Sequence, residues 1–373
     1  MIKYRIPACC IILLLALCGC SINTIQSTGP TAAPTVQTQS INTPSSGNNG
    51  GPLSPPGTNV PITWGNLNIT GKFVYTAAVI QNNQLLVNVN ILDLTTGAVK
   101  SIFQTPDGAW VDAAAVSPDH TQLILSYTPP LSAPFYAGID TLYIMPLDGS
   151  QQPQLLLPPP PTNEGYFDPE WSPDGKYEYL AHFDYSSPTN YELMRVAYPN
   201  GEAEKLVDKA FWPRISNDGT SLVYTSTATG VNTLFVSNAD GSGAHQVSIT
   251  GAYIPTVIDA PMFQADDASI LFSAPALGQS FTPSWVDRLF GITDAFADGT
   301  IVSDWWSVSL AGGVPKRLTH INSLNLNAHF SPDKKHIASY CADGIFIMNP
   351  DGTGLTQVIN YTGGQPGTVN WIP

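Results

Sequence analysis

The chain has 373 residues, with 14 Lys and Arg against 28 Asp and Glu, a formal net charge of −14 at pH 7. That balance excludes a basic surface for nucleic acid or for anionic headgroups, because such surfaces draw their affinity from cations set against phosphates. Of 5 cysteines, Cys9, Cys10, Cys18 and Cys20 stand near the N-terminus and only Cys341 lies beyond, which excludes a disulfide framework.

Residues 1–20 run from Lys3 and Arg5 through the apolar stretch Ile11 to Leu17 into Leu17-Cys18-Gly19-Cys20. The stretch is too short to span a bilayer. Charge, apolar run and small residues in that order are a secretory signal. The last four residues resemble the lipobox of bacterial lipoproteins, with Cys18 at the second position as a departure. The resemblance implies cleavage before Cys20 and a thiol carrying diacylglycerol, with palmitate among the acyl chains. The alternative is four ordinary buried cysteines.

Residues 21–61 consist mainly of Ser, Thr, Pro, Gln, Asn and Gly and hold no charged residue. No apolar period runs through them, so they read as a disordered tether. A flexible coil reaches about 5–6 Å times the square root of its length, which lets the tether hold a head some tens of ångströms from the anchor. With the signal removed, 12 Lys and Arg face the same 28 acids, a net −16.

From Ile62 the chain repeats. Ser117-Pro118-Asp119-His120, Ser172-Pro173-Asp174-Gly175, Ser216-Asn217-Asp218-Gly219 and Ser331-Pro332-Asp333-Lys334 each follow an apolar residue and precede a run such as Leu123-Ile124-Leu125. Proline presets φ, the Ser and Asp side chains bond nearby backbone, and Gly permits the exit, so each phrase is a turn. The second half of each unit is an apolar run ending in a tight turn, as at Asp148-Gly149, Asn200-Gly201, Asp240-Gly241 and Asp351-Gly352. One unit is a four-stranded antiparallel meander that cannot bury both faces alone. Six packed radially can, and the fold is read as an all-β, six-bladed β-propeller over residues 62–373.

The units resemble the TolB-type propeller family, with its WD-like repeat. Pro169-Glu170-Trp171-Ser172-Pro173-Asp174-Gly175-Lys176 and Phe346-Ile347-Met348-Asn349-Pro350-Asp351-Gly352 carry the resemblance. It covers residues 60 to 373, and its first and fifth units are degenerate. In the fifth, Pro261-Met262-Phe263-Gln264-Ala265-Asp266-Asp267 loses Ser-Pro and Gly. Such motifs specify a fold and leave function open.

Val369-Asn370-Trp371-Ile372-Pro373 reads as an innermost strand in the register of Trp171, while Lys72-Phe73-Val74-Tyr75 reads as a second strand lacking its inner partner. Pairing the two ends within one blade closes the ring. The alternative takes Ile62-Thr63-Trp64 as that inner strand. An insertion from Ala274 to Asp304 breaks the fifth unit, and within it Ser284 caps a short helix that sets Trp285, Leu289 and Ile292 on one face beside Phe290. These four residues are a candidate partner-docking knob, or else they fold back over blade five.

No G-x-S-x-G elbow, H-E-x-x-H, P-loop or zinc-spaced cysteine pair occurs, and the 6 histidines are scattered among the repeats. Neither a calcium loop nor an Asp-box is present, so no catalytic residue, cofactor or metal is assigned. Cys341 follows the strand run Ile337 to Tyr340 and reads as a buried thiol. The default ligand site is the channel mouth, where aligned units place Asp168, Glu170, Trp212, Arg214, Asn327, His329 and Asn370. That ring could hold a peptide terminus, or its members could pair with one another between blades.

The reading is a lipid-anchored extracytoplasmic module, non-enzymatic, that binds a protein or a cell-envelope component. The competing class is a carbohydrate- or small-ligand-binding head. Replacing the lipobox thiol, Cys20→Ala, is expected to release the head from the membrane fraction or to leave the precursor uncleaved. Membrane attachment unchanged by that substitution contradicts the anchor.

Overall fold

In the described strands the side chains alternate between two neighbours, and that alternation builds the core. The protein is represented by a computed structural model, which describes residues 59–373 apart from 83, 131–138, 162, 188–189, 200, 277–300 and 361–366. Six four-stranded antiparallel sheets stand in a ring. The innermost strands of blades 2 to 6 are Trp110–Val116, Glu164–Trp171, Ala210–Ile215, Asp259–Phe263 and Asn327–Phe330, and each blade then runs outward in chain order.

Blade 1 is the exception. Its innermost strand is Val369–Ile372, which pairs with Lys72–Gln81 in a register from Lys72↔Ile372 to Tyr75↔Val369. The two chain ends therefore close the ring within one blade, as the missing inner partner implied. Ile62-Thr63-Trp64 forms no strand. Trp64 is buried and its Nε1 donates to Leu94 O at 2.8 Å, while Val60 N donates to Gly97 O at 2.7 Å in the turn after the third strand of blade 1, Gln84–Asp93.

The core is six wedges, one between each pair of neighbouring blades. Phe73 and Tyr75 pack toward blade 6 and Val74 toward blade 2. Leu222 and Tyr224 face blade 3, whereas Val223 faces blade 5. Ile270 and Phe272 face blade 4, with Leu271 toward blade 6. Period-2 alternation gives each second strand two apolar faces, and burying each large side chain stabilises by roughly 1.5–3 kcal/mol. Cys341 lies within the wedge between blades 5 and 6, fully buried, and burial pushes its thiol pKa up.

The repeated turns act through their own side chains. Ser117, Ser172, Ser216 and Ser331 donate to Oδ1 of Asp119, Asp174, Asp218 and Asp333 at 2.6, 2.8, 2.6 and 2.7 Å. Each serine oxygen also accepts the N–H of the residue five further on, at the start of the next strand or, for His336, just before it, at 2.9 Å in every copy. The residue after the aspartate has positive φ whether it is glycine or not: 59° at His120, 69° at Gly175, 75° at Gly219 and 61° at Lys334. These hydrogen bonds hold the carboxyls below the usual range, led by the serine hydroxyl at Asp119, Asp218 and Asp333 and by Lys176 at Asp174.

The insertion is shorter than the sequence implied. Ala274 pairs with Asp304 and Pro275 with Ser303, so both flanking strands continue beyond the expected boundaries. Asp304 is fully buried there and bonds Arg317, an ion pair that draws the strand into the ladder. The helix expected over Ser284 to Ile292, with Trp285, Leu289 and Phe290, lies outside the described residues, as do the signal, Cys20 and nearly all of the tether.

Ending the chain after Gly367 would expose the edge of Lys72–Gln81 and strip Phe73 of Trp371, whose ring meets it edge-on at 4.9 Å. The truncated protein is expected to lose several kcal/mol, a large share of the about 5–15 kcal/mol typical of a domain. An unchanged urea midpoint would show that the ring closes without that strand.

Candidate functional site

The inner strands of blades 3, 4 and 5 carry the same irregularity. Phe167-Asp168-Pro169-Glu170, Phe211-Trp212-Pro213-Arg214 and Asp259-Ala260-Pro261-Met262 each slip register against the second strand. Proline has no N–H to give to the ladder, and the residue before it takes φ of 51° at Asp168, 56° at Trp212 and 44° at Ala260. Left-handed backbone at a non-glycine residue is strained, and bulges re-aim the side chains beside them.

Above these bulges lies a cavity of about 110 Å³ lined by the inner strands of all six blades. Ala113 to Ala115 come from blade 2 and Thr368 to Asn370 from the closing strand. Asp168 and Glu170 come from blade 3, Arg214 from blade 4, Met262 from blade 5, and Asn327 and His329 from blade 6. Six of the seven residues that sequence alignment placed at the mouth thus line one cavity. Trp212 does not. It packs half-buried against the wedge between blades 3 and 4 and against that between blades 5 and 6, since its ring finds apolar surface on both.

Sequence reasoning missed Asn217 and Lys334, both of which line the cavity. Both are departures from the repeat's own pattern. Asn217 stands where three copies have proline, and its N–H donates to Asp267 Oδ1 at 3.1 Å, a bond proline cannot make. Its side-chain amide also donates to Asp267 Oδ1 at 2.6 Å, and its Oδ1 accepts from Lys334 Nζ. Lys334 stands where glycine closes the turn in two copies, and its ammonium lies 5.6 Å from the Phe330 ring centroid.

The mouth mixes both signs of charge. Arg214 Nη1 donates to Pro213 O at 3.1 Å and lies 3.7 Å from Glu170 Oε2, a distance of ionic attraction and not of hydrogen bonding. Guanidinium carries five N–H donors, so most of its capacity faces the cavity unused by described residues. Burial raises the Glu170 pKa, while Arg214 and Lys334 draw it back. Burial lowers the Lys334 pKa against the pull of Asp267 and Glu170.

Asn370 is engaged in holding the ring. Its amide donates to Ala114 O at 2.8 Å and its oxygen accepts from Val116 N at 3.2 Å, stitching blade 1 to blade 2. Thr368 Oγ1 accepts from Ala114 N at 2.9 Å beside it. Asn370 thus pairs between blades, but with the backbone of blade 2 and not with another residue of the mouth. Among the described residues no group of three or more His, Cys, Asp or Glu is placed to hold a metal ion.

No family model and no curated protein matches the sequence. Among solved structures, TolB from Acinetobacter baumannii aligns with a TM-score of 0.57 at 15% identity, over 80% of this chain and 66% of that one. This chain thus spans just under two thirds of that protein. A putative TolB from Agrobacterium tumefaciens aligns with 0.53 at 17% identity, over 82% of this chain and 100% of that one. A chain of a nidogen/laminin complex gives 0.53 at 9% identity, over 80% and 97%. The fold is a TolB-type six-bladed β-propeller.

The His329 ring is exposed in area, yet that area opens on the channel and not on bulk water. Enclosure lowers its pKa to about 4, and Lys334, Arg214 and His120 disfavour a further cation. Its Nδ1 lies 2.8 Å from Phe330 O and 3.2 Å from Trp371 N. A histidine whose folded pKa is depressed loses stability as pH falls from the unfolded value of 6.5 toward 4, where only the unfolded chain takes the proton. His329→Asn is expected to lessen the fall in melting temperature across that window. An equal fall in both proteins would place the acid-sensitive group elsewhere.

Proposed function

We propose that the protein is a lipid-anchored, extracytoplasmic and non-enzymatic propeller that binds another protein or a cell-envelope component at the mouth of its channel. The observation that carries this reading is the axial cavity, where Arg214 and Lys334 present donors that the described fold leaves largely unused. A volume of about 110 Å³ admits one side chain or a chain end and not a folded body. A partner would insert a protruding group there and rest the remainder on the surrounding turns. The cationic pair favours a group that carries a carboxylate.

Three supports converge. The fold is that of TolB-type propellers, the lipobox-like Leu17 to Cys20 argues for a head outside the cytoplasm, and the hydroxyl of Thr368 in the described cavity lining is engaged with the backbone of blade 2. The tether gives the head reach and the lipid gives it location.

The test is photocrosslinking in intact cells from position Pro332, exposed on the turn that carries Lys334, with exposed Val231 as the control. A specific adduct is expected from Pro332 alone. The double substitution Arg214→Ala with Lys334→Ala should cut its yield about tenfold, the equivalent of about 1.4 kcal/mol. Equal adducts from both positions, or a yield indifferent to the double substitution, would remove the channel mouth as the binding site.

A further inference from the structure

The repeats can be compared with one another position by position, because each turn serine, and Gln264 in its place in blade 5, donates its N–H to the carbonyl of the residue five further on. Counted this way, the next residue is Leu123 in blade 2, Leu222 in blade 4, Ile270 in blade 5 and Ile337 in blade 6, every one fully buried. In blade 3 it is Glu178, which is 1% exposed. Among the described residues neither carboxyl oxygen of Glu178 has a hydrogen-bond partner. A buried, unpartnered carboxyl opposes folding, so an acid where every counterpart is Leu or Ile points to a use other than stability.

Its surroundings indicate the use. Glu178 pairs in register with Trp171, and burial first, then the charges of Glu178 and Asp119, raise the pKa of the Tyr198 hydroxyl. Trp171 and Tyr198 meet edge-on at 4.9 Å and line a groove of about 460 Å³ between the turns of blades 2 and 3. Pro118, Pro173, Asp119 and Asp174 complete its walls. No cation lines it, and Lys176 reaches Asp174 only in an exposed pair that competes weakly. Aromatic walls and an acidic rim, with a buried carboxyl on the strand position paired with Trp171, have the composition of a cation receptor.

We propose that this groove receives a lysine side chain of a partner protein, its alkyl stem lying along Trp171, Tyr198 and the prolines and its ammonium drawn by Asp119, Asp174 and Glu178. A lysine fits better than an arginine because a slender stem with a point charge can lie along the packed rings and reach the acidic rim, whereas guanidinium is broad and planar. Entry of the cation favours the ionised form of Glu178, whose proton burial and the neighbouring Glu170 otherwise retain. Binding is therefore coupled to proton release. The charge of Glu170 acts on Glu178 and that of Asp119 on Tyr198 beside it, and His120, Asp174 and Lys176 stand on the adjoining turns; the strands that pair with its own also carry Glu164, Tyr166 and Asp168, and Tyr191, Glu192 and Arg195.

The test is titration of the full chain with N-acetyl-lysine methylamide, its Nε-acetylated form and N-acetyl-arginine methylamide, between pH 5 and 8 and in a His120→Asn background. The lysine probe is expected to bind, to bind tighter as pH rises, and to exceed the acetylated probe at least tenfold. Glu178→Gln should weaken it about tenfold and flatten the pH dependence, and Asp119→Asn, which keeps the oxygen that caps the turn, about threefold. Arg214→Ala with Lys334→Ala should leave it unchanged, which separates this groove from the channel mouth. Equal affinity for the acetylated probe, tighter binding of arginine, or a Glu178→Leu variant that gains stability with undiminished affinity would each overturn the proposal.

Discussion

Four backbone pairings between Lys72 to Tyr75 and Ile372 to Val369 join residues some three hundred positions apart, and every other buried face inherits its partner from them. A propeller blade is stable only between two neighbours, so an open ring would leave two wedges half-covered. The closing strand also reaches beyond its own blade. Trp371 meets Phe73 and donates Nε1 to Thr70 O at 3.0 Å, Asn370 and Thr368 bind the backbone of blade 2, and the backbone N–H of Trp371 approaches His329. Ring closure and completion of the channel cavity are one event, since Thr368, Val369 and Asn370 form part of its wall. The long-range pairing that makes such topologies slow to fold also ensures that an incomplete ring lacks a complete mouth.

Much of this was legible in the sequence because the turns use local chemistry. A serine that caps two bonds and an aspartate two residues later work within a handful of residues, so their spacing survives as a motif. Strand alternation was equally visible. The channel mouth was legible only in outline. Aligned repeats placed Asp168, Glu170, Arg214, Asn327 and His329 around one cavity, but they could not reveal that Trp212 is re-aimed by a bulge, because periodicity contains no register slip. Asn217 and Lys334 were passed over because their importance lies between blades, where sequence spacing is silent. The boundaries of the insertion were misplaced for a related reason: Ala274 and Asp304 pair across it, and a pairing is not a composition.

The departures from the internal pattern proved more informative than its copies. Asn217 in place of proline ties two turns together, Lys334 in place of glycine brings an ammonium over the axis, and Glu178 in place of leucine sets a carboxyl in an apolar wedge. Each departs from the residue type most copies or several copies share, and all three lie at or close to the turns at one end of the ring. In a repeat protein the fold supplies its own reference set, so a residue that the architecture does not require can be recognised without any relative.

The N-terminal docking of Val60 onto Gly97 carries an orientation with it. Gly97 lies in the turn after Asp93, which is in register with Lys72 and, through it, with Ile372, the outgoing end of an inner strand. The Ser-Pro-Asp turns leave from the corresponding ends of the other blades, so the chain enters the propeller on the face that bears the cavity. A group bound at the cavity therefore lies on the same side of the ring as the strap formed by Val60 to Trp64, so the entry segment and the occupant of the opening share one rim.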